Sequence, residues 1–532
     1  MAERPGTDTA PAGPSTWRTA AWLFLALAGV FALSTGGHSY SVDEEGMLQQ
    51  TRALANGRHW IEVDAGNDHV TPARQGRDGR VTGVSGMGQS IAGLPFYAAG
   101  SAASRLVGEE QREVVLRLFV LFTNSVVVAA VAVAVFLLAV HLGSSRRAGV
   151  GLALVYALGT MAWSHAKTFF SEPLAALAVA GAVLLAFKAA EDNRVSLAAW
   201  SGLAAGAALI ARASAGLFPP LIAVYLLGAC ARRFGLRRGV AAVAGYGAGA
   251  VPTLALLGVF NWWRYGSVLD LGYEQVPLDF PLWSGLHGLL LSPGKSIFLY
   301  APVVLVAVAA LPVAVRRRPP EVLLLLAVSL ANLSFFARFE FWHGDHAWGP
   351  RYLQIALPLM VALCGPVLTR VRWRRAVGAA GLAGFVVAGL PGAALYFNAY
   401  LGHVVATVDD RTISGEAGYQ YHAHWVPRWS PIVGHLARLD DTLSTAFDRI
   451  DGSDATIRPL PPTANERHFW YIAPDQLDVW WVWLPAAGVT RWFWVLGAVF
   501  AAVSATGWWR LRWLLVAGRA PAGHRVGGEA GG

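Results

Sequence analysis

The sequence predicts an all-α polytopic membrane protein, and three observations lead there. Of 532 residues, 55% are hydrophobic and 14% charged, whereas soluble domains carry about 25% charged residues. Runs of roughly 17 to 25 mainly apolar residues, each able to cross a ~30 Å hydrocarbon core, recur along most of the chain. Basic clusters fall in alternate connectors, the pattern left when Lys and Arg are retained on the cytoplasmic side.

About twelve transmembrane runs can be counted in order. The first, 17–36, follows a Pro/Gly/Thr-rich tail and exceeds a signal-peptide core in length, so it reads as a retained anchor. Runs 114–142, 148–164, 172–190, 196–211, 214–230 and 239–260 are separated by short connectors, of which "SSRR" and "ARRFGLRR" are basic. Runs 296–315 and 321–337 flank "RRRPP", runs 352–369 and 376–397 flank "TRVRWRR", and 490–516 closes the series. Residues 90–107 are apolar but short, with Pro95 and several Gly. Counting them as a crossing would invert every later loop, so they are assigned to an interfacial or re-entrant segment.

With both termini cytoplasmic, the inner face carries a net charge of +15 and the outer face −6, matching the chain's +9. Membrane orientation thus accounts for the basic pI, and a nucleic-acid partner is dismissed. The expected division is a cytoplasmic tail (1–16), a transmembrane domain (17–397), an extracytoplasmic loop or small cap rich in Trp, Tyr, Asp and His (398–489), a last helix (490–516) and a second tail (517–532). Cys230 and Cys364 sit in apolar surroundings without metal or redox spacing.

Three outer polar stretches stand out. In "SVDEEGMLQQ", Asp43, Glu44 and Glu45 follow the first crossing. Ser41 and Glu44 fit a capping box, so helix initiation is one reading, and chemistry at the membrane rim is the other. In "WSHAKTFFSEPLAAL", His165, Lys167 and Glu172 lie in an apolar neighbourhood; Ser171, Glu172 and Pro173 make a helix start, which leaves Lys167 without a role. In "ARFEFWHGDHAWGPRYLQIALP", His343, Asp345 and His346 lack a fourth ligand and a helical spacing, so a divalent metal is possible but not required. Arg351, beside Tyr352 and after Gly349-Pro350, is suited to bidentate phosphate binding or to ordinary interfacial anchoring.

Together with "NWWRYGSVLDLGY", which contains Arg264, and "LLSPGKSIFLYAP", which contains Lys295, these stretches resemble bacterial polytopic glycosyltransferases of the C-type superfamily. The branch they resemble is that of protein O-mannosyltransferases and the lipid A aminoarabinose transferase, over roughly residues 17–400. The resemblance implies a polyprenyl-phosphate-linked sugar donor, a glycan, lipid or protein acceptor, membrane lipids as surroundings and a plasma-membrane location with the site facing outside. It implies Asp43 as general base, Glu44 completing the acidic pair and Glu172 as the second-loop acid. Direct displacement at the anomeric carbon needs such a base, and cations to stabilise the departing phosphate. His165, Lys167, Arg264, Lys295, Arg351 and Tyr352 are the candidate substrate-binding residues.

A polytopic lipid or glycan transporter would also have about twelve helices. Ion-coupled carriers place ionisable groups near helix midpoints, whereas here they gather at outer ends. A non-catalytic scaffold of the same shape is the third possibility. The sugar, the acceptor, the carrier length and the fold of 398–489 are open at this stage.

Overall fold

Long stretches of Ala, Leu and Val placed in lipid must satisfy every backbone N–H and C=O internally, and helices do this within one segment. In a computed structural model the protein is accordingly an all-α polytopic membrane protein, described over residues 16–62, 73–272, 278–344, 346–408, 411–413, 416–450, 477–482 and 493–517. The elements in order are α1 (Thr16–Leu33), α2 (Val42–Ala55), β1 (Ala73–Gln75), β2 (Val81–Gly83), α3 (Met87–Ala103), α4 (Arg112–His141), α5 (Arg146–Leu158), α6 (Ala162–His165), α7 (Glu172–Asp192) and α8 (Val195–Ala211). They continue as α9 (Pro219–Phe234), α10 (Leu236–Tyr265), α11 (Leu282–Leu291), α12 (Ile297–Tyr300), α13 (Val303–Arg317), α14 (Pro319–Ala337), α15 (Leu357–Ala362) and α16 (Val371–Gly384). The last are α17 (Leu390–Ala394), α18 (Phe397–Thr407), α19 (Gly418–Trp425), α20 (Pro431–Ile450) and α21 (Phe493–Ala517).

Among the described residues, seven helical stretches are long and apolar enough to cross a membrane: α1, Glu109–His141, α7, Ala213–Phe234, α10, α14 and Val371–Ala394. Of the remaining expected runs, 148–164 forms α5 and α6, 196–211 forms α8 and 490–516 forms α21, while 296–315 and 352–369 are interrupted at prolines. Run 296–315 breaks at Ala301-Pro302 into α12 and α13. Run 352–369 becomes a 3₁₀ turn at Arg351–Ile355, then α15, then a 3₁₀ turn at Gly365–Val367, with Pro358 and Pro366 interrupting the ladder. In 376–397 the missing N–H of Pro391 follows a π-helical turn at Phe385–Gly389. The segment expected to be interfacial or re-entrant is α3, which packs on α2, α4 and α8 and is not among the seven.

Small residues let the helices approach. A Cβ at Gly202 of α8 would lie 1.8 Å from the Tyr246 carbonyl oxygen of α10, so that contact requires glycine. The first and last helices pair in the same manner: Ser504 of α21 donates to the Ala26 carbonyl at 3.0 Å. In the 398–489 region the described residues are helical, with α20 packed on α17 and α18. Residues 451–476 and 483–489 of that region lie outside the described residues, as do nearly all of both expected tails. The segment 477–482 is stitched to the end of α1, with Trp480 N donating to Thr35 O at 2.9 Å and its indole to Ala32 O at 2.8 Å.

Candidate active site

Successive residues on a helix point about 100° apart, so three adjacent acids at the start of α2 must face three directions. Asp43 faces a cavity. Glu44 is fully buried, and its Oε2 accepts the Phe169 N–H at 2.8 Å. Glu45 forms a two-point ion pair with Arg117 of α4, at 2.5 and 3.0 Å. Arg117 also engages Glu113 at 2.8 Å, and Glu113 takes a bidentate contact from Arg52. This buried chain of charges docks α2 against α4.

The expected capping boxes do not form. The Ser41 side chain makes no cap bond, and Glu44, instead of reaching back to Ser41, turns inward to satisfy the buried Phe169 amide. Ser171 does not cap α7 through its side chain either; its Oγ accepts from Arg212 at 3.3 Å.

The cavity, of about 790 Å³, lies between the start of α2, the 170–172 turn, residues 212–217, the end of α14 and the 3₁₀ turn at 351–355. Its polar lining is Asp43, Glu172, Arg212 and Arg351, with Tyr352, and its apolar lining includes Leu217, Leu278, Phe335, Phe336, Phe339 and Phe341, with the Phe336 ring stacked on Tyr352. Arg351 Nη2 lies 2.8 Å from Asp43 Oδ2 and 3.3 Å from the Tyr352 hydroxyl, while its Nε stands 3.8 Å from Glu172 Oε1. Arg212 Nη1 is 3.2 Å from the same Glu172 oxygen. One buried carboxylate is therefore flanked by two guanidiniums. Arg351 also rests 4.6 Å over the Phe170 ring and Arg212 5.1 Å over Tyr352, contacts that hold flat cations in place. Gly349, at φ 76°, lets the chain turn into the Arg351 segment where a side chain would meet the Tyr300 ring.

The structure thus gathers Asp43, Glu172, Arg351 and Tyr352 in one cavity and gives the other candidates different settings. Lys295 Nζ donates to the Ala347 and Gly349 carbonyls at 2.8 and 3.3 Å, bracing the loop before Arg351. Arg264 donates to Gly83 O at 2.7 Å and Ser85 O at 3.0 Å, bracing the loop that carries Val84 and Ser85 to the cavity. His165 lines a separate void of about 20 Å³. Its Nδ1 donates to Met161 O at 2.9 Å, and burial pushes its pKa down to about 4, so it is a neutral imidazole near pH 7. The His343 ring lies tilted against His424, with ring centroids 4.5 Å apart, and Asp345 lies outside the described residues.

Lys167 is the largest departure from expectation. It donates to Ala393 O at 2.6 Å, Asp478 O at 2.8 Å and Asp478 Oδ2 at 2.9 Å, which occupies all three of its hydrogens. His38 Nε2 at 2.7 Å and the Tyr40 hydroxyl at 2.7 Å complete the shell of Asp478. Burial alone would raise the Asp478 carboxyl, but Lys167 and His38 hold it below the usual carboxylate range. A carboxyl depressed in the folded state adds stability above its unfolded pKa and loses it as pH falls through the folded one. Lys167→Met, which leaves Asp478 buried without its cation, is expected to cost about 3–5 kcal/mol. Thermal unfolding in detergent at neutral pH measures this, and an unchanged melting temperature would show that the cluster is not a structural clasp.

Two features escaped the sequence. Arg212 is a lone basic residue in a two-residue connector between apolar runs, where isolation from the cytoplasmic clusters was the available signal. Asp478 pairs across more than 300 residues with Lys167, and local pattern carries no trace of that.

The fold and site define a polytopic helical membrane protein with a cavity lined by both paired charges and aromatic rings. No known protein family and no curated protein matches the sequence. Among solved structures the chain is similar to the arabinosyltransferase EmbB from Mycobacterium smegmatis, with 13% identity and a TM-score of 0.40 over 94% of this chain and 42% of that one. It is also similar to the archaeal oligosaccharyltransferase AglB from Archaeoglobus fulgidus, solved with an inhibitory peptide and a dolichol-phosphate, with 14% identity and a TM-score of 0.35 over 94% of this chain and 54% of that one. The chain spans about two fifths of the first structure's length and about half of the second's.

Proposed function

We propose that the protein is a membrane glycosyltransferase that moves a sugar from a polyprenyl-phosphate carrier to an extracytoplasmic glycan, lipid or protein acceptor. The observation that carries this reading is the convergence of Asp43, Glu172, Arg212 and Arg351 in a cavity that is also lined by phenylalanines. An isoprenoid phosphate has the same two characters: an apolar chain suits the rings and an anionic head suits the guanidiniums. Asp43, whose side chain is 36% exposed in the cavity, takes the proton of the acceptor hydroxyl. The acceptor oxygen then bonds to the anomeric carbon as the bond from that carbon to the phosphate oxygen breaks, inverting the carbon in one step. Arg351 and Arg212 receive the developing phosphate charge. The apolar wall excludes water, which would otherwise compete as acceptor.

The test is the full-length protein in nanodiscs, supplied with a radiolabelled polyprenyl-phosphate sugar and a membrane extract. Label is expected to pass from the carrier to an acceptor, and retention of all label on the carrier with every sugar and extract tried would refute the reading.

The proposal places the cavity outside the cytoplasm, with "RRRPP" inside. Both native cysteines are buried, so single added cysteines report cleanly. A membrane-impermeant maleimide applied to intact cells is expected to label Arg58→Cys and to spare Arg316→Cys. The opposite pattern would reverse the topology.

A further inference from the structure

Asp43 and Glu172 line one cavity but sit on segments with no covalent reason to stay in register: α2 carries one, and the turn into α7 the other. Arg351 reaches both carboxylates from a third segment, and the Glu44 side chain ties the two segments to each other directly. Glu44 Oε2 accepts the Phe169 N–H at 2.8 Å, three residues before Glu172. Around this bond both partners are clamped. The Phe169 ring packs with Met47 and Leu48 of α2, and Asn124 of α4 donates to Phe170 O at 2.8 Å. On the other side of α2, the Glu45–Arg117 pair fixes the rotation of the helix.

We infer that Glu44 is a positioning residue for the proposed transfer reaction, setting the separation of Asp43 and Glu172 through its bond to the Phe169 amide. The inference rests on the proposed function for its kinetic consequence but not for the contact itself. What the role requires is reach and an acceptor oxygen, not charge. Burial pushes the Glu44 carboxyl well above the ordinary carboxylate range, so an uncharged amide of equal length is a close substitute. Aspartate keeps the acid but is one methylene, about 1.5 Å, too short.

Charge and reach can therefore be separated with Glu44→Gln and Glu44→Asp, each in full-length protein in nanodiscs. Glu44→Gln is expected to retain transfer. Glu44→Asp is expected to lose about 10²-fold in kcat with donor KM unchanged, the scale of a ~1 Å misplacement of reacting groups. Hydrogen exchange over residues 167–171 provides a second readout, expected to stay slow in Glu44→Gln and to quicken in Glu44→Asp. A reversed order, with Asp active and Gln inactive, would make Glu44 an acid or base and overturn the positioning role. Equal exchange in the two variants would overturn the contact as the determinant. If the unmodified protein transfers no sugar, the reaction assignment fails, while the exchange comparison still decides whether the bond to Phe169 holds the two segments together.

Discussion

Asp43→Asn is expected to lower sugar transfer by about 10²- to 10⁴-fold, the loss typical of a positioned general base. The substitution keeps size and planarity and removes the basic carboxylate. It also frees Arg351 Nη2 from its 2.8 Å ion pair, so donor binding is expected to persist or tighten. The variant should remain folded, because Asp43 lies on a cavity wall and the bonds that dock α2 are made by Glu44 and Glu45. The measurement is single-turnover transfer at matched folded protein, with donor affinity determined separately. Near-native turnover would remove Asp43 as the base and move that role to Glu172, the other carboxylate on the wall.

Arg351→Lys is expected to raise donor KM by about 10- to 100-fold, corresponding to the ~1.5–3 kcal/mol of a charge-assisted hydrogen bond. Charge is conserved in this change but shape is not. The planar fork reaches Asp43 and the Tyr352 hydroxyl and points its Nε toward Glu172, while stacking on Phe170. An ammonium is a point charge and cannot hold a phosphate through two parallel bonds. Arg212→Lys is expected to act in the same direction, because Arg212 flanks Glu172 from the other side at 3.2 Å. Donor titration of the transfer rate checks both, and unchanged KM in both variants would place the phosphate elsewhere. Lys167 would not be its replacement, since its three hydrogens are committed to Ala393 and Asp478.

How legible the site was depended on whether each residue acts through its local neighbours. Asp43 and Arg351 are charged residues at the ends of apolar runs, a placement that made them candidates beside capping and anchoring, and the family resemblance gave Asp43 its expected role. Glu44 and Ser41 carry a capping signature, yet the helix start is buried and Glu44 finds a tertiary amide instead. Lys167, Arg264 and Lys295 look from sequence like cations awaiting an anion. In the fold they donate to backbone carbonyls, the partners that a buried loop supplies in abundance, and Lys167 also meets the Asp478 carboxylate. No count of charges along a chain can distinguish a lysine that meets a phosphate from one that meets carbonyl oxygens and a distant carboxylate.

Composition and period settle that this chain lives in a membrane as helices, because the cost of an unpaired backbone group in hydrocarbon leaves a long apolar run no other choice. Where helices break is not settled in this way, since Pro302 and Pro358 interrupt their runs whereas Pro95, Pro252 and Pro312 lie inside α3, α10 and α13. Which polar side chains meet is decided only by folding. Asp43 and Arg351 are 308 residues apart and Lys167 and Asp478 are 311, and such pairs form when packed helices bring their ends together. The energy of a charge contact depends on distance and burial, and neither is a property of position along the chain.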